Sequence, residues 1–135
     1  MVKMHILYEG GLRCRLEHDP SGTVISTDAP VDNHGKGEAF SPTDLFAASL
    51  ASCMMTVMAI AAQKENIELK GTTVDIEKEM VVQPVRKIGR VSVRFSMAAG
   101  IKPDKHKMLE AAALNCPVTK SLSPDVQVVV EFKYK

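Results

Sequence analysis

The stretch Ser41-Pro42-Thr43-Asp44-Leu45-Phe46-Ala47-Ala48-Ser49-Leu50-Ala51-Ser52-Cys53 opens the longest helix in the chain. Ser41 suits the N-cap, where a hydroxyl accepts from a free backbone amide. Pro42 suits the first helical position, where no amide hydrogen is needed. Asp44 stands where a capping acid reaches back to the N-cap. The pattern predicts a helix from Pro42 to about Glu65, with no charged residue between Leu45 and Ala62. Such a run is long enough to raise a membrane reading. It is rich in Ala and Ser, however, and lacks basic flanks and aromatic belts, so no membrane association is expected. A helix apolar on nearly every side is otherwise a buried central helix. One small chain can hardly cover it completely, which predicts burial against a second copy, a homodimer.

Upstream, the sequence reads as antiparallel β. Val2, Met4, Ile6 and Tyr8 alternate with Lys3, His5, Leu7 and Glu9. Gly10-Gly11 is a tight-turn signal, and Leu12, Cys14 and Leu16 then alternate with Arg13, Arg15 and Glu17. Asp19-Pro20-Ser21-Gly22 is turn chemistry, Thr23 to Thr27 returns as a third strand, and Pro30 to Phe40 is a loop. Downstream, Thr72 to Val82 and Lys87 to Met97 read as strands around Gln83-Pro84, Pro103 to Leu114 as an amphipathic helix, and Val126 to Tyr134 as a final strand. The order β-β-β-α-β-β-α-β, with strands in meanders and helices apart, predicts an α+β fold.

The chain has 135 residues, which suits a single domain over 1–135. Its net charge of +1, without Trp and without a run of one sign, argues against a nucleic-acid surface. The three cysteines, Cys14, Cys53 and Cys116, are odd in number and widely spaced. That excludes a secreted disulfide framework and predicts a reducing cytoplasm. His5, His18, His34 and His106 lie in separate elements without metal-ligand spacing, so no metal or other cofactor is expected.

Chemistry is therefore sought at the thiols. Cys53 lies mid-helix, where a buried cysteine acting as a small hydrophobe is the plainer reading. A reactive Cys53 would need a separate cation, because the helix dipole acts only within the terminal turns. Cys116 precedes Pro117, which predicts Cys116 as N-cap of a short turn over Val118 to Leu122. Amides there favour a thiolate, although Asn115-Cys116-Pro117 could equally just end the preceding helix. Cys14 reads as core. Arg13 and Arg15 read as a solvated strand face or, alternatively, as a guanidinium for a thiolate. His106 could pair with Cys116 in thiol-based acyl transfer or hydrolysis, a weaker reading. Leu50, Met54, Val57 and Met58 are candidate pocket walls, with core the safer assignment.

The segment from Ser41 to Cys53 resembles the first cysteine motif of the osmotically inducible protein C and organic hydroperoxide resistance superfamily, the OsmC-like proteins. Asn115-Cys116-Pro117-Val118 resembles its second. The resemblance implies an OsmC-like fold, an intertwined homodimer with sheets around two central helices. It implies a peroxidase in which Cys53 attacks an organic hydroperoxide and becomes a sulfenic acid. Cys116 then condenses with it to a disulfide. A dithiol reductant, with lipoyl-type dithiols as one candidate, restores the pair. The family's organic hydroperoxide branch places an acid, paired with an arginine, ten positions before the first cysteine. Here that position is Thr43, and Asp44 points about 100° away around the helix. Glu38 is the substitute acid and Arg13 the matching arginine, with Arg15 in reserve. The altered pair leaves a second reading open: a small-molecule-binding or redox-sensing module whose thiols oxidise without efficient turnover.

Overall fold

In the computed structural model, which describes residues 1–135, Ser41 and Asp44 form the reciprocal cap that their spacing predicts. The Asp44 amide donates to Ser41 Oγ at 3.0 Å, and the Ser41 amide donates to Asp44 Oδ2 at 2.9 Å. Helix α1 follows over Pro42–Lys64. Ala47, Leu50, Ala51, Met54, Met58 and Ala62 are its buried residues. Their three- and four-residue spacing makes one stripe along the helix. Phe46, Ser52, Thr56 and Ile60, on the other side, stay exposed in the single chain. By length and composition α1 could cross a membrane, yet its buried stripe belongs to the protein's own core. Ser41→Ala removes one arm of the cap and should cost about 1 kcal/mol of stability. Chemical denaturation would show it as a lower midpoint at unchanged slope.

Two compact units divide the chain, residues 1–46 and 47–135. The first holds strands β1 (Met4–Gly10), β2 (Arg13–His18) and β3 (Thr23–Asp28) in an antiparallel meander. Met4, Ile6, Tyr8, Cys14, Leu16 and Ile25 share one face, because Ile6 pairs with Leu16, Leu16 with Ile25, and Tyr8 with Cys14. Much of this apolar face is exposed, Met4 and Ile6 to 66% and 67%. Cys14 is thus half-buried rather than core. The loop after β3 carries a short turn, Val31–Asn33, and folds back tightly. A side chain at Gly35 would run into the Ala29 backbone, so the loop that presents Glu38 needs glycine there.

The second unit contains most of α1, then β4 (Thr73–Val81), β5 (Lys87–Ser96), helices α2 (Pro103–Leu114) and α3 (Pro117–Lys120), and β6 (Gln127–Lys133). β5 is the central strand, antiparallel to β4 and parallel to β6. A parallel neighbour requires a crossover, and α2 with α3 supplies it. Val91, Val93, Phe95 and Met97 alternate inward and are fully buried, while Arg90 and Arg94 pair outward with Glu79 and Glu77. The inward side chains join the α1 stripe and Leu109 and Ala113 of α2 in one core. Leu50, Met54 and Met58 are enclosed there, so these candidate pocket walls are packing residues.

Candidate functional site

The residues singled out in the sequence fall into two clusters, one in each unit. In residues 47–135, Cys116 and Cys53 meet although 63 positions separate them in sequence. Cys116 is the N-cap of α3, with Pro117 at its first position, as the Cys-Pro sequence predicts. Its side chain is fully buried, whereas Cys53 is half-buried. The Thr119 amide donates to Cys116 Sγ at 3.4 Å, and Thr119 Oγ1 lies 3.0 Å from the same sulfur. The neighbouring Cys53 side chain favours the charged form of Cys116 as well. Burial pushes the Cys116 thiol up, but Thr119, Cys53 and the Val118 amide outweigh it and hold the thiol below the ordinary cysteine range. All three cysteines are free thiols.

The two sulfurs differ in their surroundings. Cys53 is the one with access to solvent, and Cys116 is the enclosed one held as a hydrogen-bond acceptor. Thr119 was not legible as a partner until α3 was placed. It is the third residue of that turn, where an N-cap side chain finds its donor. His106 is not among the groups that hold Cys116. Its ring stacks on Tyr134 with centroids 3.4 Å apart, and Nε2 lies 3.4 Å from the Ile101 carbonyl oxygen. The pairing needed for acyl transfer is therefore not formed.

In residues 1–46, Arg13 is gripped by two carboxylates. Its Nε donates to Asp28 Oδ1 at 2.7 Å and its Nη2 to Asp28 Oδ2 at 2.8 Å, a two-pronged contact. Nη2 also donates to Glu38 Oε2 at 3.0 Å, so the expected Arg13–Glu38 pair is present. Asp28 was missed by sequence reasoning. It lies directly across from Arg13 in the β2–β3 register, one residue beyond the strand end read from sequence. Opposite charges at facing positions are the signal that could have found it. The two acids differ in exposure: Asp28 is 1% exposed and its side chain also accepts the Glu38 amide, whereas Glu38 is 63% exposed. Asp28 is the buried, two-pronged partner and Glu38 the exposed, single-bonded one. Arg15 pairs instead with Glu17 at 2.9 Å on the strand surface.

Arg13 holds the Asp28 carboxyl below the usual carboxylate range, against the opposing effect of burial. A depressed value stabilises the fold above the ordinary carboxylate value of about 3.9 and loses that contribution as pH falls through the depressed value. The thermal midpoint should therefore fall on acidification below that range. Asp28→Asn should lower the midpoint at neutral pH and flatten this part of the acid limb in calorimetry.

The family model described as OsmC-like protein matches residues 35–131. The chain belongs to the OsmC-like family. It is 42% identical to a Psychrobacter arcticus 273-4 protein assigned to osmotic stress induction and the detoxification response; the alignment covers 98% of this chain and 96% of that one, with a TM-score of 0.93. An organic hydroperoxide resistance protein, OsmC, from Legionella pneumophila shares the fold at 20% identity and a TM-score of 0.79, over 98% and 96% of the two chains. A Vibrio cholerae protein assigned to organic hydroperoxide resistance, with captopril bound in one of its active sites, shares it at 18% identity and 0.75, over 96% and 90%. Among curated proteins none matches. The α+β, OsmC-like architecture expected from the two cysteine motifs is thus the one observed.

Proposed function

We propose that this OsmC-like protein is a thiol peroxidase for organic hydroperoxides, with Cys53 as the attacking sulfur and Cys116 as the resolving one. The observation that carries this reading is the pairing of an accessible Cys53 with an enclosed neighbouring Cys116 whose sulfur Thr119 holds by hydrogen bonds. The Cys53 thiolate attacks the outer peroxide oxygen, the O–O bond breaks, and the alkoxide leaves and takes a proton to become the alcohol. Cys53 becomes a sulfenic acid. The Cys116 thiolate then attacks that sulfur, the S–O bond breaks, and hydroxide leaves as water, closing a disulfide. A dithiol reductant returns both thiols by exchange. A reducing cytoplasm suits this cycle.

Arg13 is assigned the part of the cation of the reaction, with Glu38 as its exposed acid. The sensor reading drew its support from the absent acid at Thr43. That support weakens because Arg13 has two carboxylate partners without it. The protein is further read as a homodimer. The exposed apolar face of β1, β2 and β3 is larger than isolated surface hydrophobes, Phe46 and Ile60 are exposed on α1, and a second copy would cover them. The test of the activity is consumption of cumene hydroperoxide by purified protein with dihydrolipoamide as reductant. Sustained turnover supports the peroxidase, and peroxide loss no faster than in buffer overturns it.

A further inference from the structure

We propose that Thr119 is the positioning residue of the thiol pair, holding the Cys116 sulfur through its side-chain hydroxyl so that it faces Cys53 ready for the resolving step. The inference rests on the peroxidase reading for its kinetic consequence, but its structural content stands on the α3 turn alone. Cys116 is fully enclosed, and a sulfur that must carry negative charge without water needs donors from the protein. Two of those donors belong to one residue. The Thr119 amide, at 3.4 Å, is fixed by the backbone and would remain with any side chain. The hydroxyl, at 3.0 Å, is the shorter contact and the one that residue type controls. Cys53 on α1 is the other side-chain neighbour of that sulfur, and once oxidised it is the electrophile that Cys116 attacks rather than a thiol supporting its charge. At that moment the Thr119 hydroxyl is the side-chain donor that remains on the attacking sulfur. The nearby Val118 amide adds a backbone contribution that substitution at 119 leaves in place.

Valine and serine at position 119 separate the hydroxyl from the shape. Thr119→Val keeps the branched side chain and removes the donor; Thr119→Ser keeps the donor and removes the methyl. The first measurement needs no peroxidase activity. In a Cys14→Ala, Cys53→Ser background, Cys116 is the sole thiol, and its ionisation is followed by thiolate absorbance in the ultraviolet. Thr119→Val should raise the midpoint by about one pH unit, roughly tenfold less thiolate at neutral pH, and Thr119→Ser should restore it. The second measurement uses the two-cysteine protein and one equivalent of cumene hydroperoxide. Sulfenic acid should form at the wild-type rate in Thr119→Val, while its conversion to disulfide slows about tenfold, again rescued by serine. Equal ionisation midpoints in all three proteins would overturn the positioning role, whatever the activity proves to be. An intact shift with no peroxide consumption in the wild type would instead leave Thr119 in place and remove the peroxidase.

Discussion

Cys53→Ser should reduce peroxide consumption by roughly a thousandfold or more, to the level of the buffer, because an alcohol cannot replace a thiolate as nucleophile toward peroxide. The remaining cysteines do not offer a substitute. Cys116 is fully enclosed, so an alkyl peroxide has no approach to it. Cys14 sits among Tyr8 and Thr27 on the sheet face and lacks a neighbouring cation on that face. Cys116→Ser should behave differently. Cys53 would still react once, giving a burst of about one equivalent per chain, and then stop as sulfenic acid. Trapping that acid with dimedone, and reading its mass, checks the assignment of attacker and resolver. If Cys116→Ser abolished the burst while Cys53→Ser retained it, the two roles would be reversed. Serine also keeps a hydroxyl where the sulfur hydrogen-bonds Thr119, so either variant should keep the α3 turn.

How much of this site the sequence discloses depends on how local each feature is. The start of α1 is legible because the cap is written in four consecutive residues, and Ser41 and Asp44 need nothing else to find each other. The buried face of β5 is legible for the same reason, since alternation from Val91 to Met97 is a property of the strand itself. The Cys116 cap is legible from Cys-Pro. What lies outside local reading is pairing across distance. The parallel contact of β6 with β5 depends on where the crossover returns the chain, which no single strand encodes. The grip of Asp28 on Arg13 depends on register, and a shift of one residue would have turned Asp28 to the other face. Burial is the least local property of all. Cys14, Ile6 and Leu16 alternate like core residues, yet Ile6 is exposed and Cys14 and Leu16 are only half-buried. A periodic pattern tells which side chains need cover and says nothing of which chain supplies it.

The exposed flank of α1 leads to the second large effect expected. Ile60→Asp should convert a dimer to a monomer while leaving the isolated chain nearly as stable as before. Ile60 is 56% exposed on α1, and a charge placed on a free surface changes stability by about half a kcal/mol or less. The same charge enclosed against a second copy has no partner there and costs about 3–5 kcal/mol. By the tenfold change that each 1.4 kcal/mol brings, the dissociation constant should rise by about two to three and a half orders of magnitude for each substituted copy in the dimer. Sedimentation equilibrium over a range of concentrations reads that change directly. Thermal unfolding of the diluted variant supplies the control, because a misfolded chain would lose its transition altogether. A wild type that sediments as a monomer at micromolar concentration, or a variant with the wild-type association constant, would refute a second copy on this side of α1. The mutation also bears on the chemistry. Ile60 lies two helical turns beyond Cys53 along α1, on the flank that includes Thr56. If a second copy shields the half-buried Cys53 thiol from water, the monomeric variant should lose peroxidase rate together with mass, and regain both when protein concentration is raised.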